Sequence, residues 1–196
     1  MSNIAIKGAA TGSGTFTLEA PATSTNRTLT LPDEAGTMAL QGGAGVGKVL
    51  QVVNFQTGAV ATGTGTIPLD TSIPQITEGT EFMTLVITPI SATSKLKIDV
   101  LFIGSYTADA VVSTLLFQDS TASALACNYI WSMGTGARNH SMFLSHFMTA
   151  GTTSATTFRV RAGGDNAGTM TFNGRGGGGN YGGTLASSIT ITEIAA

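Results

Sequence analysis

"KLKIDVLFI", residues 95–103, puts Leu96, Ile98, Val100 and Phe102 at every second position. A period of two sends alternate side chains to opposite faces of a β-strand, so this stretch reads as a strand with one apolar wall turned to a core. The texture repeats along the chain. "KVLQVVNFQ" (48–56), "FMTLVITPI" (82–90), "DAVVSTLLFQ" (109–118) and "ALACNYIWS" (124–132) read as strands, as do "HSMFLSHFMTA" (140–150), "TTFRVRA" (156–162), "TMTFNG" (169–174) and "SSITITEI" (187–194). Roughly nine strands separated by turn signals are the pattern of an all-β antiparallel jelly roll or β-sandwich, which we assign to residues 48–196.

Composition agrees. The 196-residue chain is 42% hydrophobic, enough for a real core in one sizeable domain, and only 10% charged. About a quarter is usual for charged residues, so a lone monomer would lack the ordinary charged coat, and part of the surface is expected to be buried against other chains. Net charge is −2, and the nine basic residues are scattered, which argues against nucleic acid as a partner. Cys127 is the single cysteine and excludes an intrachain disulfide or a cysteine zinc site. The opening "MSNIAIKGAA" is not the start of a signal peptide, and no window is apolar for the roughly 18 residues that membrane insertion needs.

Residues 1–41 have shorter elements. "GTFTLEA" places Phe16 and Leu18 on one face, "RTLTLPD" does so with Leu29 and Leu31, and "TMAL" returns with Met38 and Leu40 after a proline turn. Three such strands bury too little to be stable alone, so this segment reads as an N-terminal β-hairpin arm that attaches to a partner through those six residues. Residues 42–47 then read as a glycine-rich hinge. "QGGAGVGKVL" (41–50) approximates a phosphate loop, with Gly42 and Gly47-Lys48. A phosphate loop needs a helix after it and a hydroxyl after the lysine, whereas here Val49 and an alternating β-branched run follow.

No catalytic constellation emerges. Asp99, Asp109, Asp119 and Asp165 fall in turns or on polar strand faces, and Cys127 lies among small and aromatic neighbours without a basic residue, so it reads as core. His140 and His146 share a strand face with Met142, Leu144 and Met148. They could meet symmetry mates around a threefold axis and hold an ion, but no carboxylate has matching spacing, and buried hydrogen-bonded histidines are the commoner case. The expectation is a non-enzyme without metal or cofactor. "NGRGGGGNYGG" (173–183) is the remaining feature. Tyr, Asn and Gly are the residues of adaptable recognition loops, so Arg175, Asn180 and Tyr181 form the candidate recognition loop, against the plainer reading of a wide hairpin turn. The pairs Met170/Phe172 and Ile189/Ile191 on either side should point into the core.

"GSGTFTLEAPATSTNRTLTLPDEAGTMAL" (12–40) resembles the N-terminal segment of bacteriophage tail-fibre and related virion proteins. "IPLDTSIPQITEGTEFMTL" (67–85), "TAGTTSATTFRVRAGG" (149–164) and "GGTLASSITITEI" (182–194) look like the globular heads of such proteins. The resemblance implies a homotrimer of jelly-roll heads similar to the tumour necrosis factor family, located in the virion and assembled in the host bacterial cytoplasm. It implies a short tail fibre whose arm binds tail or baseplate proteins and whose head faces a host surface receptor. The alternative is a capsid decoration protein cementing the major capsid protein. Ordinary fibres insert a long shaft where only residues 42–47 stand, which argues against a long fibre. A depolymerase is the enzyme reading, and the missing carboxylate pair speaks against it.

Overall fold

Alternation at 95–103 becomes the strand around which everything else is hung. The computed structural model describes residues 47–133 and 136–196. The main strands are β1 (Val49–Thr57), β3 (Thr80–Ile87), β4 (Lys95–Tyr106), β5 (Ala110–Gln118) and β6 (Ala126–Ser132), with a short β2 (Ala61–Gly63). They are followed by β7 (Arg138–Thr149), β8 (Thr156–Gly164), β9 (Met170–Phe172), β10 (Gly174–Arg175), β11 (Gly178–Gly179) and β12 (Ser187–Ile194). The nine segments anticipated from alternation are all present. The additions, β2, β10 and β11, are two or three residues long, too short for periodicity to reveal.

Two antiparallel sheets face each other in a jelly-roll arrangement. The first runs β1-β12-β4, with β7 along the other edge of β4. Strand β4 divides its inner edge between two partners: Lys95–Leu101 pair with β12, and Gly104–Tyr106 pair with β9, which carries β2 beyond it. The second sheet runs β3-β8-β5-β6. The arm residues Phe16, Leu18, Leu29, Leu31, Met38 and Leu40, and the hinge up to 46, lie outside the described residues.

Leu96, Ile98, Val100 and Phe102 are fully buried, and Ile189, Ile191, Met142 and Leu144 join them from the flanking strands. Met83, Val112, Leu116, Phe158 and Val160 oppose them from the second sheet. Burying each such side chain stabilises by about 1.5–3 kcal/mol relative to leaving it exposed. The rings of Phe82, Phe102 and Phe172 meet with centroids 5.2–5.6 Å apart and fill one end of the core. Strand β5 is buried on both faces because the connection between β2 and β3 folds over it, setting Ile67 against Leu115 and Phe117. At the end of β4, Tyr106 donates its hydroxyl to the carbonyl of Asn166 at 2.7 Å, and its ring lies so close to Gly164 and Gly168 that a Cβ at either would overlap it.

Cys127 departs from the expectation. It is exposed, because β6 is the free edge of the second sheet and its alternation turns Ala126, Asn128 and Ile130 inward and Cys127, Tyr129 and Trp131 outward. Partial burial raises its thiol pKa, so it is not an activated nucleophile. The core pairs Met170/Phe172 and Ile189/Ile191 are buried as anticipated.

Candidate functional site

The glycine-rich segment is built on a buried polar root. Asn173 follows β9 with a φ of 53°, a left-handed conformation that Asn tolerates better than most residues, and only 1% of it is exposed. Its amide donates to the carbonyls of Thr57 at 2.7 Å and Ala59 at 3.1 Å, and its side-chain oxygen accepts from Ser187 Oγ at 2.7 Å. Ser187 Oγ in turn accepts from the Ile103 amide at 2.8 Å. One asparagine thereby joins the end of β1, the start of β12 and the middle of β4 beneath the segment.

Above this root, β10 and β11 pair Gly174 with Gly179 and Arg175 with Gly178. Gly176 and Gly177 form the two-residue turn, with φ of 58° and 85°. A primed hairpin turn of this kind needs positive φ at both central positions, and glycine supplies it without steric cost. The Gly177 amide donates to Thr171 Oγ1 at 2.9 Å, fastening the tip to β9. A single 3-10 turn, Tyr181–Gly183, follows, closed by Thr184, whose amide and hydroxyl both donate to the Tyr181 carbonyl. Gly183 lies directly on Gly58, where no Cβ fits. Part of the glycine content therefore reflects close packing, and the segment is a tight hairpin plus a turn rather than a wide loop.

Arg175, Asn180 and Tyr181, the three residues singled out from sequence, come together, and Ala137, Arg138 and Asn139 from the start of β7 complete a cleft of about 500 Å³ with them. Tyr181 is 80% exposed. Sequence reading missed Arg138 and Asn139, which lie far away in the chain. Two arginines and no acidic residue line the cleft. Arg159 and Arg161, by contrast, are paired with Glu81 at 3.0 and 3.4 Å, whereas no carboxylate among the described residues lies within ion-pair distance of Arg138 or Arg175. Beside the cleft, His140 approaches Ser132 Oγ at 3.2 Å; burial, then the charge of Arg138, lowers its pKa. Burial does the same to His146. Both histidines share the inward face of β7 with Met142 and Leu144, and no group of three metal-ligating side chains occurs among the described residues.

The carboxylates are spread through the fold and tied to it. Asp119 accepts from the Thr157 amide at 2.8 Å, Asp165 from the Val111 amide at 3.0 Å, and Asp109 from Trp131 Nε1 at 3.1 Å. Asp99 pairs with Lys97 and accepts from Ser145. Two-carboxylate or nucleophile-and-base chemistry needs groups that converge, and these do not.

Strand order and cleft together define an antiparallel jelly-roll head with a donor-rich pocket at its glycine hairpin. The family model of the Pgp3 C-terminal domain (Chlam_vir) matches residues 59–196, and the chain belongs to that family. No curated protein sequence matches the chain. Among solved structures it is similar to Eiger TNF from S. frugiperda, with 11% identity, a TM-score of 0.42, and coverage of 74% of this chain and 93% of that one. It is also similar to dimeric latent PorU from Porphyromonas gingivalis (8% identity, TM-score 0.35, 81% and 14% covered) and to the VP2 subviral particle of infectious bursal disease virus (13%, 0.31, 76% and 38%).

The family assignment corrects the bacteriophage reading. Family, function and virion location all change, because Pgp3 is a chlamydial virulence-associated protein and not a tail fibre or capsid decoration protein. Of the stretches that carried the resemblance, the arm motif at residues 12–40 lies outside the matched span, whereas the head stretches 67–85, 149–164 and 182–194 lie within it and belong to the Pgp3 C-terminal domain family instead. Threonine-rich alternation with a proline turn is what any short exposed hairpin requires, so it marks a conformation more than a lineage.

Proposed function

We propose that the chain is a non-enzymatic recognition head that assembles as a homotrimer and acts by binding, in the service of bacterial virulence. Family membership supports the virulence setting, and the dispersal of the carboxylates supports the absence of catalysis. The observation that carries the assembly is the pair of strands closing one side of the sandwich. On their solvent faces β6 presents Tyr129 and Trp131, and β7 presents Phe143 and Phe147; Met133 follows β6, and all five are more than half exposed. Monomeric proteins seldom leave so many large apolar side chains in water, least of all on free sheet edges.

The same outer face continues the patch across the first sheet, where Leu101 and Lys97 of β4 stand directly opposite Phe143 and Phe147. The outer face of β1, β12 and β4 carries Val52, Thr190, Thr192 and Leu101, with Lys97 and Asp99 neutralising each other. Burying this continuous aromatic and uncharged face between copies of the chain around a common axis takes it out of water, and a closed threefold ring does so for every copy. Trp131→Glu and Phe147→Glu each place a charge in this contact. The expected result in light scattering is a folded chain of monomer mass with unchanged circular dichroism. Variants that keep the mass of the unmodified assembly would refute this contact.

A further inference from the structure

We propose that the cleft between the β10–β11 hairpin and the start of β7 is a binding site for an acidic saccharide, a sugar unit bearing a carboxylate or sulfate. The site rests on the reading of the chain as a recognition head and gives that head a ligand class. Arg138 and Arg175 are the basis. In a chain with only nine basic residues, two arginines line one cleft without a carboxylate partner among the described residues, while the two on β8 are held by Glu81. A guanidinium fork matches the planar or tetrahedral oxygens of a carboxylate or sulfate and binds them through paired charge-assisted hydrogen bonds.

The other walls suit the rest of a sugar. Asn139 and Asn180 are also among the lining residues, and an asparagine amide can both donate to and accept from ring hydroxyls. Tyr181 stands 80% exposed at the rim, an aromatic face against which the C–H face of a pyranose stacks. About 500 Å³ falls within the range of small-ligand sites and holds one or two sugar units. The base is pre-formed, because Asn173, Thr171 and the packing of Gly183 on Gly58 fix the hairpin, so little ordering is needed on binding. Two cations in a chain of net charge −2 are too few to track a nucleic-acid backbone.

The test is calorimetric titration of the full chain with three probes at physiological salt: a sulfated heparin disaccharide, sialyllactose and lactose. One or both acidic probes should bind, which identifies the charged group, and lactose should not. Arg138→Ala, Arg175→Ala and Tyr181→Ala should each weaken binding by about tenfold or more while the solution mass stays as in the unmodified chain. No binding of either acidic probe, binding untouched by all three substitutions, or inorganic sulfate binding as tightly as the saccharide would each overturn the proposal. Assembly and ligand fail separately: a monomeric chain that still binds an acidic probe retains the cleft and loses the ring, and an assembled chain that binds neither does the reverse.

Discussion

Glu193→Ala is expected to lower the stability of the chain by about 3–5 kcal/mol, read as a shift in the denaturant midpoint. Glu193 is fully buried on the core side of β12, with no cation within ion-pair distance among the described residues. Its carboxylate instead collects the amides of Ile90 at 2.9 Å and Ser91 at 3.1 Å, Ser94 Oγ at 2.6 Å and Gln51 Nε2 at 2.6 Å. It thus fastens the connection between β3 and β4 to the edge of the first sheet. Alanine would strand the part-buried amides of Ile90 and Ser91, each costing about 1–3 kcal/mol when left unmade, while Ser94 Oγ and Gln51 Nε2 keep the carbonyls of Ser91 and Thr88. Glutamine keeps the shape and one acceptor, so its cost should be smaller.

The same cluster sets a pH dependence. Burial works to raise the carboxyl's pKa, but the donors of Ser94, Gln51, Ile90 and Ser91 together outweigh it and leave the pKa below the ordinary value of 4.5. A carboxyl whose folded pKa is depressed binds its proton more readily in the unfolded chain, so its contribution is present above the unfolded value and fades as pH falls through the folded one. Stability measured from pH 6 downward should therefore drop below about pH 4.5, and the Glu193→Gln variant should show a shallower drop. Equal slopes in the two chains would remove Glu193 as the source.

Asn173→Ala should cost about 2–4 kcal/mol and also loosen the cleft. The Thr57 carbonyl and the Ser187 hydroxyl lose a partner in a buried place, and alanine must take a left-handed φ that costs about 1 kcal/mol more than for asparagine. Because β10 begins at the next residue, the lost root should appear as faster amide exchange at Gly177 and Gly179 as well as a lower melting temperature. Asn173→Gly relieves the backbone but not the hydrogen bonds, so it should recover only the smaller part. A variant as stable as the unmodified chain would mean that the hairpin is held by packing alone.

The strands were legible because each buries one face, and burial writes a period of two into the sequence at Leu96 to Phe102 and again at Ile189 and Ile191. What the period does not contain is which face is inside when both are apolar. In "ACNYIWS" the aromatic residues, normally core formers, lie outside, because the strand forms a sheet edge that only the three-dimensional order of strands defines. That is why Cys127 was misplaced and the exposed aromatic edge went unseen. The cleft was half legible. Glycine density marked Arg175, Asn180 and Tyr181, but Arg138 and Asn139 join them only through the pairing of β4 with β7. Asn173-Gly174 was the missed local signal, since asparagine before glycine is a common place for a left-handed residue.

Self-association through an aromatic edge is tested most directly by the mass of the unmodified chain in solution at micromolar concentration. Light scattering should give three times the 19.8 kDa chain, unchanged on dilution across the micromolar range. A mass of one chain would show that Tyr129, Trp131, Phe143 and Phe147 stay in water, and would contradict it.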